Sequence, residues 1–230
     1  MKTDIVMKRK LFIGALAALV LSWSASAQVE WGLRGGVSAN WIPKTFVLSP
    51  ISNVRPCPAF YGGVTANIDV SSNFIIHSEL IYSGKGHSAE NYIEDYMINS
   101  REMPGSGVTF KDRYQLHYLQ LPVLFGARLA DERCYVALGP ELGYLFAAKN
   151  KTIIAPDNGT KQTVTTDIKE SCKPFNLGVA VQAGYLFTDN LGLDLKFEWG
   201  VTKTFNDLYS LGNSKGHNTS VSIGLFYVFE

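Results

Sequence analysis

The stretch LGLDLKFEWGVTKTF, residues 191–205, alternates between apolar side chains and small, polar or charged ones. Its apolar positions are Leu191, Leu193, Leu195, Phe197, Trp199 and Val201. A period of two predicts a β-strand with one apolar face and one polar face. Because glycines and charges share the polar face, such a strand suits a narrow barrel with its outer wall in lipid better than a soluble sandwich.

The same alternation recurs along the chain, for example in FNLGVAVQAGYLF at residues 175–187. The pattern predicts eight strands, at residues 29–39, 59–70, 74–84, 114–129, 134–147, 175–187, 191–205 and 218–229. Segments of about ten alternating residues are typical of outer-membrane strands. The predicted fold class is therefore all-β, an eight-stranded antiparallel up-and-down transmembrane β-barrel.

The connections between these strands alternate in length, with short turns at 71–73, 130–133 and 188–190 and long loops elsewhere. Outer-membrane barrels have short periplasmic turns and long extracellular loops. Asn73 and Asn190 stand where a three-residue hairpin needs positive φ. These turns predict pairing of Val70 with Phe74 and of Phe187 with Leu191, and the turn at 130–133 predicts pairing of Leu129 with Cys134. We expect a local distortion where Pro122 and Pro140 remove donors from neighbouring strands.

The N-terminus has the pattern of a secretory signal peptide. Basic residues at 8–10 precede an apolar run at 11–21, which is shorter than the roughly 20 residues of a membrane-spanning helix. Ala25 and Ala27 give a small-x-small cleavage pattern, so we expect processing between Ala27 and Gln28. The alternative is an uncleaved N-terminal anchor. The chain is thus divided into a signal peptide, 1–27, and an outer-membrane barrel domain, 28–230.

Composition narrows the classes of partner and cofactor. The chain has 230 residues, of which 46% are hydrophobic, and it carries 21 basic and 20 acidic residues, so no basic surface for nucleic acid is indicated. Its cysteines, Cys57, Cys134 and Cys172, form no CxxC pair and have no histidines at metal-ligand spacing, so we expect no metal or other cofactor. Cys57 and Cys172 are both predicted near the extracellular rim. Either these two are linked or all three thiols are free.

Four stretches carry a resemblance to a known family: WGLRGGVSAN at 31–40, IHSELIYSGKG at 76–86, LHYLQLPVLFGARL at 116–129 and ALGPELGYLF at 137–146. They resemble the strand signatures of the PorT-like outer-membrane β-barrel family of Gram-negative bacteria, and the likeness covers nearly all of the chain after the signal. Gln120 departs from the acid expected in that motif. The resemblance implies an integral outer-membrane protein, and the family's namesake assists type IX secretion.

The alternate positions that face the inside of the barrel carry many polar side chains, which predicts a polar network there. Its members are Arg34, His77, Glu79, Gln120, Arg128, Glu141, Gln182, Asp194, Lys196 and Glu198. Mixed charges in a narrow lumen are explained by mutual neutralisation, since unpaired buried charges are costly. Lys196 is predicted to lie between Asp194 and Glu198 of its own strand, with Gly184 making room.

Catalysis is the competing interpretation of these polar residues. Glu141 and Glu198 are a candidate carboxylate pair, and His217 with Ser220 or His87 with Ser88 are candidate nucleophile pairs, but no third group is indicated by the sequence. We expect no enzymatic activity. The favoured function is an integral barrel that contacts outer-membrane lipid and presents long extracellular loops to a protein partner, with a structural or secretion-accessory role. The alternatives are a narrow small-molecule or ion pathway and a lipid-modifying enzyme.

Overall fold

The computed structural model describes residues 29–41, 53–93, 97–98, 101–102, 107–129, 133–157, 159–206 and 217–229. The signal segment and its cleavage position at Ala27 and Gln28 lie outside the described residues, so that expectation stays a prediction. No helix in the described ranges is long and apolar enough to cross a membrane.

The described chain is built almost entirely of β-strands. In chain order they are β1 (Val29–Trp41), β2 (Asn53–Asp69), β3 (Phe74–Ile93), β4 (Met97–Ile98), β5 (Arg101–Glu102), β6 (Val108–Leu129), β7 (Cys134–Pro156), β8 (Gln162–Asp167), β9 (Phe175–Leu186), β10 (Leu191–Gly200) and β11 (Thr219–Val228). One short 3-10 helix, Lys169–Ser171, lies between β8 and β9.

Eight of these strands close into a ring, in the order β1, β2, β3, β6, β7, β9, β10 and β11. Every neighbouring pair is antiparallel, and β11 pairs with β1 from Trp41 opposite Thr219 to Gly32 opposite Val228. A closed ring leaves no unpaired edge within the wall. The predicted eight-stranded up-and-down barrel is confirmed.

The short turns set the predicted register. Val70 N–H donates to Phe74 O at 2.9 Å, and Phe187 N–H donates to Leu191 O at 3.1 Å. Leu129 stands opposite Cys134. Each of these turns keeps the apolar positions of both strands on the same face, because a slip of one residue would reverse every side chain.

The prolines interrupt the ladder without shifting it. Between β6 and β7 the pairing stops after Pro122 opposite Glu141 and resumes at Phe125 opposite Leu138 in the same register. Between β3 and β6 the two pairs around Pro122 are also missing, and Ser78 Oγ donates to Pro122 O at 3.2 Å instead. The distortion expected there is present.

The strands on one side of the ring extend well beyond the membrane wall. β3 runs to Ile93 and β6 begins at Val108, so much of the predicted loop at 85–113 is strand. β7 runs to Pro156, and β8 pairs with it as a hairpin that extends the sheet. In contrast, β10 ends at Gly200 and not at the predicted residue 205, because β11 begins only at Thr219 and its last pair is with Trp199.

The outer wall is apolar and the interior is polar, which inverts the pattern of a soluble protein. Phe60 is 75% exposed, and Leu138, Trp199 and Phe125 are similarly open on the outer face. Arg34, Glu79 and Lys196 are buried on the inner face. This sidedness is expected for a wall in hydrocarbon, where an exposed polar face would be costly.

All three cysteines are free thiols, so the alternative of a bridge between Cys57 and Cys172 does not hold. Cys172 is buried at the extracellular end of the barrel, and this burial, reinforced by the Asp167 carboxylate, raises the pKa of its thiol to about 12. Cys134 at the periplasmic end is only partly buried.

Alkylation should therefore distinguish the thiols in the folded protein. At pH 8 the fraction of Cys172 present as thiolate is on the order of a thousandfold below that of an ordinary cysteine, and the thiolate is the reacting species. We expect iodoacetamide to modify Cys134 first and Cys172 only after denaturation, as measured by peptide mass spectrometry of timed samples. Equal rates at Cys134 and Cys172 in the folded state would contradict the burial of Cys172.

Candidate functional site: the charged barrel interior

The centre of the barrel holds a guanidinium clamped by two carboxylates. Arg34 on β1 donates to both oxygens of Asp194 on β10, from Nε at 2.7 Å and from Nη2 at 2.6 Å. Its Nη1 donates to both oxygens of Glu79 on β3, at 2.8 and 2.9 Å. The Arg34 guanidinium also lies 4.8 Å from the ring centroid of Tyr61. The arrangement joins three strands across the lumen with the bidentate geometry that makes arginine–carboxylate pairs strong.

Lys196 on β10 forms a second centre next to the first. Its Nζ lies 3.2 Å from Glu79 Oε2, 3.0 Å from Glu141 Oε2 and 3.1 Å from Glu198 Oε1. Lys196 is 1% exposed. Glu79 contacts both Lys196 and Arg34, so it links the two centres into one network.

Lys85 on β3 is a charged member of the network that the strand prediction did not include. Its Nζ lies 2.6 Å from Glu198 Oε2 and 3.4 Å from Glu141 Oε1. The alternation predicts a strand that ends at residue 84, which leaves Lys85 in the following loop. The alternation along the strand indicates its position, because Lys85 is separated from His77 and Glu79 by an even number of residues and therefore lies on the same inward face.

Other polar side chains complete the network. His77 bridges Asn67 Oδ1 at 2.5 Å and Glu79 Oε1 at 2.8 Å. Gln120 donates to Glu141, and Ser220 Oγ donates to Glu198 Oε2 at 2.7 Å. Each carboxylate thus accepts hydrogen bonds in addition to its ion pairs, which offsets the cost of removing it from water.

One of the predicted interior residues lies apart from this network. Arg128 is at the periplasmic end, where its Nη2 lies 2.6 Å from Glu30 Oε2 and 3.0 Å from Asp69 Oδ1. Gln182 lies at the edge of the network, where its Oε1 accepts a long hydrogen bond from Arg34 Nη1 at 3.5 Å and its Nε2 donates to the hydroxyl of Tyr135 at 2.7 Å. The other eight predicted residues meet in the centre of the barrel.

The predicted surroundings of Lys196 were wrong in two respects. Asp194 pairs with Arg34 and not with Lys196, because the Arg34 guanidinium occupies both of its oxygens. Gly184 makes room for another group: a Cβ at this position would lie 2.1 Å from the ring of Tyr135. Tyr135 stands directly opposite Gly184 in the β7–β9 ladder, so the ring lies over the glycine.

An apolar cluster lies at the extracellular end of the lumen. Its buried members are Leu116, Tyr118, Leu145, Ala148, Ile168, Cys172 and Phe205. Leu116 and Leu145 come from the wall strands β6 and β7, whereas Ile168 and Phe205 come from the segments that follow β8 and β10. Between this cluster and the periplasm, the cavity beside Arg34 and Lys196 measures about 10 Å³, which is room for about one water molecule.

The periplasmic end contains a larger pocket of about 300 Å³, which we call the vestibule. Ile75, Tyr135 and Phe226 line its inner end, and we call these three residues its floor. Charged residues around it are Glu30, Arg128, Arg133 and Asp189. Asn67, which hydrogen-bonds to His77 of the ion network, also lines the vestibule.

Several of the candidate catalytic residues have other partners in the structure. Glu141 and Glu198 both contact Lys85 and Lys196, so they act as counterions. Ser220 donates to Glu198, and the ring of His87 stacks on Tyr114 at 4.5 Å. In the described part of the chain, no three His, Cys, Asp or Glu residues are grouped so that they could hold a metal ion.

A family model and several solved structures are similar to this chain. Residues 23–206 match the model of a family described as the outer membrane protein beta-barrel domain. Similar solved structures include Ail of Yersinia pestis, at 11% identity over 88% of this chain and 99% of that chain with a TM-score of 0.41. The outer membrane protease OmpT from Escherichia coli is 11% identical over 88% and 96% of the two chains, with a TM-score of 0.37. OprG from Pseudomonas aeruginosa is 9% identical over 89% and 97%, also with a TM-score of 0.37. A search of curated proteins gave no match.

Proposed function

This chain belongs to the outer membrane protein beta-barrel domain family and lies in the cell outer membrane, and from that premise we propose that it is a closed barrel presenting its extracellular strands and loops to a protein partner. The observation that carries the proposal is a lumen filled by paired charges below an extended extracellular sheet. A filled lumen offers solutes no route across the membrane, and the extended sheet on the extracellular side offers strands outside the wall for contact with a partner.

The ion network opposes the alternative of a small-molecule or ion pathway. The Arg34 and Lys196 centres span the lumen, and the cavity beside them holds about one water molecule. Eight strands leave an interior that side chains can fill. A conducting route would need these buried pairs to separate, which costs several kcal/mol in a low-dielectric interior.

The extended sheet supports a role in contact with another protein. β3, β6, β7 and β8 continue it beyond the barrel wall, and all six residues of β8 are exposed. In the described part of the chain β8 pairs with β7 alone, so its other edge carries backbone groups without strand partners. Such edges accept an additional strand or loop from a partner.

Planar-bilayer recording tests the closed barrel. We expect no stable conductance steps from the purified protein, because the paired side chains close the lumen. A porin of known conductance in the same detergent is the positive control, and the detergent alone is the blank. Reproducible steps of porin size that scale with protein concentration would favour the pathway alternative.

Site-specific photo-crosslinking in native outer membranes tests the presentation of the sheet. A photoreactive residue at Val164 on β8, which is 49% exposed, should give a discrete polypeptide adduct. Val136 on the barrel wall is 45% exposed and is a matched control that should give only lipid adducts. The same adduct pattern at both positions, or none at Val164, would count against the proposal.

We further propose that the partner belongs to protein secretion, as in the PorT-like branch of outer-membrane barrels. The strand stretches at 31–40, 76–86, 116–129 and 137–146 support this finer assignment. Deleting the gene should reduce secreted protein without loss of outer-membrane integrity. An unchanged set of secreted proteins would contradict this role and leave the closed barrel unaffected.

A further inference from the structure

The apolar outer wall of the barrel has a clear upper boundary on β6. From Leu129 up to Leu119, every second residue of β6 is apolar and lies on the outer face. At about 3.3 Å per residue and a tilt of about 40°, this stretch is about 25 Å tall, which is the height of the apolar band of outer-membrane barrels. His117 is the first polar residue in the outward series. The hydrocarbon of the membrane therefore ends near His117.

Three aromatic rings lie together at the same boundary. Tyr82 Oη lies 2.8 Å from His117 Nδ1, and the two rings are stacked with their centroids 6.0 Å apart. The ring of Phe146 lies 6.1 Å from each of them. Aromatic side chains are enriched where the outer wall meets the headgroup layer. Residues that continue the outward face above these rings therefore lie at the level of the lipid headgroups.

Above the rings, the outer face carries a row of four residues on four neighbouring strands, which we call the cationic row. Arg113 on β6 stands opposite Lys151 on β7, and both are exposed. Ser88 on β3 stands opposite Arg113, and Thr165 on β8 stands opposite Lys151. Arg113 is about 10 Å above His117. Long basic side chains at this height extend into the headgroup layer.

The rows above and below the cationic row each contain one cation and one acid. In the row above, Lys111 lies 3.5 Å from Glu90. In the row below, Lys149 stands opposite Asp167. The cationic row contains two cations and two hydroxyl residues and no acid. Positive charge is thus concentrated at one level of the outer face.

The sequence neighbour of Arg113 does not balance this charge on the outer face. Asp112 alternates to the opposite face of the sheet, where its Oδ1 accepts a hydrogen bond from Thr152 Oγ1 at 2.5 Å. Like charges directly opposite each other on neighbouring strands destabilise a sheet. An anion that contacts both Arg113 and Lys151 removes this repulsion.

We propose that the cationic row binds a phosphate group of a phosphorylated glycolipid in the outer leaflet of the membrane. The Arg113 guanidinium and the Lys151 ammonium pair with the phosphate oxygens, and the hydroxyls of Ser88 and Thr165 donate to them at the sides. The acyl chains of the same lipid lie on the apolar wall below His117. A lipid is the occupant because the row stands on the same outward face as that wall, directly above it. The site does not depend on a protein partner at β8.

Native mass spectrometry of the full-length protein in a non-ionic detergent tests the proposal. The probes are diphosphoryl lipid A and the same lipid with both phosphates removed. We expect the phosphorylated form to bind on the order of tenfold more tightly, because each basic residue near a charged membrane surface contributes about fivefold to affinity. Equal binding of the two forms would overturn the proposal.

Single variants assign this preference to the cationic row. Arg113→Gln and Lys151→Gln should each weaken binding of diphosphoryl lipid A about fivefold and leave the dephosphorylated form unaffected. Lys161→Gln removes an exposed charge from the connection between β7 and β8 and is the matched control, which should change nothing. A loss in the control equal to that in the two variants would mean that net charge alone attracts the lipid, and would contradict the site.

Two further measurements separate a lipid site from other roles of these residues. Without lipid A, Arg113→Gln should unfold at the same temperature as the parent or higher, since it removes a repulsion. A lower midpoint would show that Arg113 serves the fold and would overturn its role as a ligand-binding residue. Inorganic phosphate at 10 mM should leave the lipid adduct in place, because it lacks the acyl chains that hold the lipid on the wall. Full displacement would reveal a site for soluble anions and contradict the lipid assignment.

Discussion

Replacing Lys196 with methionine should lower the free energy of unfolding of the barrel by on the order of 3–5 kcal/mol. The ammonium of Lys196 lies within 3.2 Å of Glu79, Glu141 and Glu198, and the residue is 1% exposed. Without it, three buried carboxylates lose a shared cation. Thermal unfolding in detergent, followed by circular dichroism, should show a lower midpoint.

A surface lysine provides the control for this experiment. Lys111 lies 3.5 Å from Glu90 and its side chain is 47% exposed, so Lys111→Met should cost no more than about 1 kcal/mol. Adding Glu141→Gln to the Lys196→Met variant should recover part of the loss, because it removes one of the stranded charges. A Lys196→Met protein as stable as the Lys111→Met protein would mean that water screens the interior.

Replacing Arg34 with methionine should have an effect of similar size, on the order of 3–5 kcal/mol, because Asp194 would lose both of its close hydrogen bonds to the guanidinium. Arg34→Lys should recover only part of the stability, since one ammonium cannot satisfy Asp194 and Glu79 with the fork geometry of arginine. Chemical unfolding of the three proteins in the same detergent measures the difference.

The two centres should also be coupled through Glu79, which contacts both Arg34 and Lys196. We expect the double variant of Arg34 and Lys196 to deviate from the sum of the single variants by more than about 0.5 kcal/mol, as is usual for residues that share a partner. Arg128→Met, at the separate periplasmic cluster, is the control and should add independently to Lys196→Met. Strict additivity of the two central variants would show that Glu79 does not link them.

The sequence determined which residues form strands in the membrane and which face each side chain takes. Within the membrane, one face of each strand contacts lipid and the other faces the interior, so the residue types must alternate. For this reason the predicted strands around Leu193 and Val181 agree with the structure. Each short turn fixes the register of its hairpin, so the inward and outward positions of one strand determine those of the next. Above the membrane both faces of a strand meet water and the alternation loses its constraint, so the extracellular ends of β3 and β10 differ from the prediction. Lys85 lies one residue beyond the predicted end of β3, although its inward parity and its burial in the network continue the pattern.

Tertiary structure alone decided which charges meet. Parity places Asp194, Lys196 and Glu198 on one inner face, but the choice of partner depends on which side chains the closed ring brings across the lumen. Closure places Arg34 of β1 against Asp194 of β10, with β11 between their strands, and brings Glu79 and Glu141 to Lys196. The width and stagger of a barrel follow from all of its strand pairings together, and no single segment of sequence contains that information.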